Sequence, residues 1–133
     1  MRLSNREKIG SWVLVAFFCL VIFFLSSIPG SSLFLPGRFD KLYHLVEYSV
    51  LGALLFLAAR TSFGLGGAKA VMVAFAFSLL YGISDEWHQS FVPGRFASLG
   101  DVAADGLGGL LGALLAPRLL GGCRSLLRKL FSP

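Results

Sequence analysis

Six carboxylates and two imidazoles are the side chains of this sequence best able to do chemistry, and their spacing groups them on helical faces. Asp40, His44 and Glu47 stand at i, i+4 and i+7, which aligns them on one side of a helix. Asp85 is three residues from His88 and four from Gln89, and Asp101 is four from Asp105. Glu86 and His88, two apart, fall on roughly opposite sides of a helix. Carboxylates beside imidazoles act as acid–base pairs or as ligands for a divalent cation such as zinc, manganese or iron. The acid–base candidates are Asp40, His44, Glu47, Asp85, Glu86, His88 and Asp101. The metal-ligand candidates are His44, Glu47, Asp85 and His88, with Asp85 and His88 the better-spaced pair. No Cys-x-x-Cys or His-Glu-x-x-His motif selects an ion, so the cofactor stays open. Arg95, Lys41 and Gln89 are the candidate ligand-binding groups, Arg95 by pairing with a phosphate or carboxylate. A structural reading competes at each position. Asp40 and Asp101 suit the positive starts of helices, and Asp–Lys and Asp–Arg pairs can simply lock helices together.

The elements that carry these residues are apolar enough to sit in a bilayer. Hydrophobic residues make up 56% of the 133 and charged residues 14%, against roughly 25% charged in soluble domains. About 20 apolar residues cross the hydrocarbon as a helix. Four such spans are expected, at about 9–28, 41–59, 70–88 and 102–120, the third continuing through Asp85-Glu86-Trp87-His88-Gln89. Pro29-Gly30 and the glycines at 64, 66 and 67 break the chain between them. The first run is read as a retained helix and not a signal peptide, because it is long and no Ala-x-Ala-like site follows it. The expected fold is therefore all-α, an integral membrane four-helix bundle. Arg2, Arg6, Lys8, Arg60, Lys69, Arg118, Arg124, Arg128 and Lys129 flank one side, while Arg38, Lys41 and Arg95 flank the other. The positive-inside rule then puts both termini in the cytoplasm. Every acid except Glu7, and both histidines, falls on the outer side. Basic residues at span edges suit anchoring in lipid, so the net charge of +5 implies membrane lipids as partners and no nucleic acid.

Small residues speak to packing. Gly108 and Gly112 form a Gly-xxx-Gly pair, which permits close helix approach in lipid. Packing against span two near Gly52 is the favoured reading, and homo-oligomerisation through Gly108 and Gly112 the alternative. Cys19 and Cys123 lie at different depths and are not expected to pair. Pro36-Gly37-Arg38-Phe39 echoes Pro93-Gly94-Arg95-Phe96, a hint of a duplicated helix pair.

The string Asp40-Lys41-x-x-His44-x-x-x-Tyr48-x-x-Leu51-Gly52, with Tyr81-Gly82-x-Ser84-Asp85-Glu86-x-His88-Gln89, Val92-Pro93-Gly94-Arg95 and Asp101 before a glycine-rich last span, closely resembles the VanZ-like family. The resemblance covers about residues 35–115, so 1–133 is read as a single VanZ-like transmembrane domain. The departure is Asp105, where many members carry Asn. The resemblance implies a multi-pass protein of a bacterial plasma or inner membrane, in a family whose name-giving member is associated with resistance to the glycopeptide teicoplanin. Three functions compete. The first is an envelope protein whose outer polar site engages a lipid-linked or cell-wall molecule. The second is a membrane-embedded hydrolase or transferase using the His/Asp/Glu cluster. The third is a small transporter, disfavoured because the inner halves of the spans have almost no polar groups.

Overall fold

The computed structural model describes residues 5–32 and 39–131, with side chains as far as Leu119. The described residues form four long helices, each long and apolar enough to cross a membrane. They are α1 (Asn5–Ser26), α2 (Asp40–Phe63), α3 (Gly67–Gln89) and α4 (Leu99–Phe131), with a single 3-10 turn at Gly30–Ser32. Among the described residues there is no strand. The all-α four-helix architecture expected from the hydropathy pattern is the one observed.

α2 is the hub. Tyr48, Leu51, Gly52, Leu55, Phe56 and Ala59 recur at helical spacing and are buried. Such a wide stripe marks a helix with neighbours on more than one side. Its largest interface is with α4, and α3 packs on both. α1 lies on α2 and meets α3 chiefly through long side chains, such as Tyr81, whose hydroxyl donates to the Cys19 carbonyl at 2.7 Å, and only Val15, Ile22 and Ser26 of it are buried. Phe17, Phe24 and Leu20 face outward, as suits a helix with lipid on most sides.

The helix ends follow local chemistry. α2 stops at Gly64, whose φ of 63° is the left-handed conformation open to glycine, and whose N–H bonds to the Arg60 carbonyl. α4 begins after Ser98, whose hydroxyl accepts from the Gly100 N–H at 3.1 Å. The cap is thus Ser98 and not Asp101, which sits in the first turn. Asp40 likewise is the first residue of α2 and not its cap. The fourth span was expected to end near 120. The part described with its side chains, Leu99–Leu119, is long and apolar enough to cross a membrane, and the helix runs on through Pro117 to Phe131. Proline removes one helical donor, a loss that helices in lipid tolerate.

The glycines of α4 are filled by its neighbours. A Cβ on Gly112 would strike the Ser49 carbonyl and one on Gly108 the Leu45 carbonyl, while one on Gly52 would strike the Gly109 carbonyl. The obstacles are backbone atoms, which cannot swing aside. The Gly108/Gly112 face is therefore occupied by α2 of the same chain. Gly112→Val is expected to cost about 1–3 kcal/mol or more by overpacking. It should lower the melting temperature in detergent, while Gly66→Ala, at a site with no atom within 4 Å, leaves it unchanged.

Two ends result. At one, Trp12 Nε1 donates to Ser62 Oγ at 2.9 Å, tying the start of α1 to the end of α2. At the other meet the end of α1, the start of α2, the end of α3 and the start of α4. There the Gly30 N–H bonds to the Pro93 carbonyl at 3.0 Å, joining the two connections. The first member of the Pro-Gly-Arg-Phe echo, residues 36–38, lies outside the described residues, as does the side chain of Cys123. Cys19 is a free thiol.

Candidate functional site

His44 is the centre of the polar end. It projects from the second turn of α2 and is 5% exposed. Its Nδ1 lies 2.9 Å from Asp105 Oδ1 on α4. An ionised carboxylate only accepts, so Nδ1 carries the hydrogen in that pair. The other ring nitrogen, Nε2, faces Glu86 Oε1 on α3 at 3.8 Å, an ion-pair distance beyond hydrogen-bond reach. Glu86 is held from the far side, where its Oε2 accepts the Ser98 N–H at 2.6 Å. One imidazole thereby bridges carboxylates from two other helices. Asp105 is fully buried because α3 presents Gly82 to it, and a Cβ there would meet the carboxylate. Asp105 Oδ2 and Glu86 Oε1 have no hydrogen-bond partner.

The rim is held by cations. Lys41 Nζ pairs with Asp101 Oδ1 at 3.1 Å, and the Lys41 side chain is 64% exposed. Arg95 is tied down more fully. Its Nε donates to the Ile28 carbonyl at 3.3 Å, its Nη2 to the Leu25 carbonyl at 3.1 Å, and its Nη1 lies 3.7 Å from Asp40 Oδ1. The Leu25 carbonyl belongs to the last turn of α1, the negative end of that helix. Arg95, expected as a ligand's counter-ion, is thus a strap holding α1 to α2.

The remaining sequence candidates divide. Asp85 is buried and accepts from Gln89 Nε2 at 3.2 Å, and the same amide reaches Ser26 Oγ on α1 at 3.3 Å. His88 leaves the cluster. Its Nε2 is 2.9 Å from Ser27 Oγ and its ring stacks obliquely on Phe23, with centroids 4.6 Å apart. It fastens α3 to α1. Among the described residues the ligand atoms that converge are those of Asp40, His44 and Asp101, all within 4.8 Å of one another. This differs from the set His44, Glu47, Asp85 and His88, since α3 turns His88 toward α1 and Asp85 toward Gln89. Two carboxylates and an imidazole suit a hard or borderline divalent ion. Lys41 and Arg95 already balance the two carboxylates.

Beside this cluster a cavity of about 590 Å³ opens between α1, α2 and the segment after α3. Phe18, Leu25, Tyr43, Val46, Val50 and Phe96 give it mainly apolar walls, and Asp40, His44, Glu47, Gln89 and Arg95 line its polar end. Its α2 wall runs from Asp40 to Val50, about 15 Å at 1.5 Å per residue, or half of a ~30 Å hydrocarbon layer. Val46 and Val50 stay 56% and 43% exposed, so the cavity opens sideways toward lipid. Glu47 stands in this wall one turn below His44. Its Oε1 is buried without a hydrogen-bond partner, and no ion pair reaches its carboxylate.

Asp105 is not among the sequence candidates, yet it is the partner of His44, and neither is Ser98, whose amide holds Glu86. The signals were present but weak, namely an acid four residues into an apolar span and a serine just before it.

A family model described as VanZ/LLP1 matches residues 11–121 of the chain. No curated protein matches the chain, and neither does any solved structure.

Proposed function

The chain belongs to the VanZ/LLP1 family, and from that premise we propose that it is a multi-pass protein of a bacterial plasma or inner membrane that binds an amphipathic envelope molecule. In this reading both termini face the cytoplasm, in keeping with the basic flanks, and the polar end lies at the outer leaflet. The ligand is a membrane lipid or a lipid-linked cell-wall molecule. Its chain lies along Tyr43, Val46 and Val50, and its head meets the polar end. The observation that supports this is the cavity itself, whose walls are mostly apolar, whose polar groups sit at one end, and whose opening faces the lipid. Ligand sites commonly combine an apolar lining with a few convergent polar groups. A cavity reaching halfway through the membrane suits a molecule anchored in one leaflet and does not suit passage across it.

Such binding also offers a route to glycopeptide resistance, by changing how much of a lipid-linked target teicoplanin meets. Val50→Trp fills the slot from a position that is partly exposed and so disturbs little packing. It is expected to abolish retention of co-purified lipid while shifting the melting temperature by only about 1–2 °C, since surface substitutions cost little. In cells expressing the protein, any gain in teicoplanin tolerance disappears with the same variant. Retention of the same lipid by Val50→Trp would refute the placement.

An enzymatic reading is favoured by one observation, the 2.9 Å Asp105–His44 pair. It resembles the oriented imidazoles used for proton transfer. Incubating the reconstituted protein with membrane lipid extract and analysing the lipids by mass spectrometry tests it. A new lipid product that His44→Gln does not form supports catalysis, and an unchanged lipid profile counts against it.

A further inference from the structure

The chemistry of the head group follows from which groups in the cavity are already satisfied. Arg95 lines the cavity and Lys41 stands at the rim of the polar end, and both are engaged. Arg95 donates to two carbonyls of the α1 end and pairs with Asp40. Lys41 pairs with Asp101. His44 is held between Asp105 and Glu86. Gln89 donates to Asp85 and Ser26. Glu47 alone among the charged groups lining the cavity lacks an ion pair or a hydrogen bond, its Oε1 buried and unpartnered. An ionisable group at membrane depth is costly unless something pairs with it, and a carboxylate can only accept hydrogen bonds. A phosphate or carboxylate placed there would set acceptor against acceptor.

We propose that Glu47 receives the primary ammonium of an amine-headed membrane lipid, whose chain occupies the slot along Val46 and Val50. This rests on the reading of the cavity as a lipid site, and it reverses the expectation that Arg95 selects an anionic head. An ammonium brings charge and three donors to a group that lacks both. Neighbouring groups reinforce the preference. Asp40 lines the same polar end, and the Arg95 charge nearest to it is already matched. A trimethylated head carries the same charge but no N–H. It satisfies the charge without the hydrogen bonds, so the two contributions separate experimentally.

The test uses the full-length protein in nanodiscs containing equal amounts of phosphatidylethanolamine, phosphatidylcholine and phosphatidylglycerol with identical acyl chains. Lipid retained on release is read by native mass spectrometry. Phosphatidylethanolamine is expected to be enriched about tenfold over phosphatidylcholine, the equivalent of one charge-assisted hydrogen bond, and further over phosphatidylglycerol, which lacks the cationic charge as well. Glu47→Gln, which keeps the shape, is expected to remove the enrichment without loss of total lipid. Equal retention of phosphatidylethanolamine and phosphatidylcholine overturns the proposal while leaving the cavity reading intact, as does preference for phosphatidylglycerol. Enrichment that survives in Glu47→Gln overturns it as well. Retention of no lipid at all refutes the cavity reading on which it stands.

Discussion

Asp105→Ala is expected to destabilise the protein by about 3–5 kcal/mol, the range for removing one partner of a buried charged pair. The reason lies in what remains. His44 would keep a buried Nδ1 hydrogen with no acceptor, and the space that α3 leaves beside Gly82 would empty. Three helices meet at that point, so the loss reaches the α2–α3–α4 core and not one contact alone. Asp105→Asn separates shape from charge. Its amide oxygen still accepts from His44 and its volume matches. The asparagine variant is expected to keep most of the stability, and the alanine variant to lose monodisperse protein in detergent. Equal melting temperatures for the two would show that the Asp105–His44 pair does not hold the bundle.

Arg95→Ala is the second large effect, and it differs in kind. α1 packs on α2, meets α3 through a few side chains, and exposes most of its surface. The end of α1 is fastened by a few polar ties, of which Arg95 supplies the contacts to Leu25, Ile28 and Asp40. Without them the core of α2, α3 and α4 persists while the wall of the cavity formed by Leu25 and Ile28 loosens. Amide hydrogen exchange is expected to rise by about tenfold or more over residues 23–28, since sub-global opening is governed by local ties. Exchange over 51–59 should not change. Lipid retention falls with it. Arg95→Lys does not restore the tie, because one ammonium cannot reproduce a planar fork directed at three acceptors. Uniform acceleration across the chain would contradict this assignment.

The parts of the molecule that hydropathy decides were legible in the sequence. The four spans, the continuation of α3 through the Asp85–Gln89 stretch, and the role of Gly52, Gly108 and Gly112 in close packing all follow from what a bilayer demands of length and small residues. The polar end was legible as a set. The helical spacing of Asp40, His44 and Glu47 puts them on one side of α2, where His44 meets Glu86 of α3 and Asp105 of α4 while Glu47 stands apart in the cavity wall. The pairings were not legible. Spacing along α3 placed His88 with Asp85, yet the way α3 meets α1 turns His88 to Ser27. Periodicity fixes a residue's angle on its own helix but not how neighbouring helices cross. Asp105 is spaced on one face with Asp101, but its partner is 61 residues away in sequence, and only the meeting of α2 with α4 supplies it. Arg95 lies in a connection that carries no periodicity, so its donors could not be traced to the α1 carbonyls.

A lipid held at a defined place in the cavity between α1 and α2 lies against Val50. A compact aliphatic diazirine residue at Val50, small enough to leave the slot open where tryptophan fills it, compared with one at Leu20 on the outward side of α1, tests this placement in native membranes. Val50 is expected to yield one dominant lipid adduct with an amine head, lost when Glu47 is replaced by Gln, while Leu20 yields adducts in proportion to bulk lipid. The same bulk-proportioned mixture at both positions would contradict it.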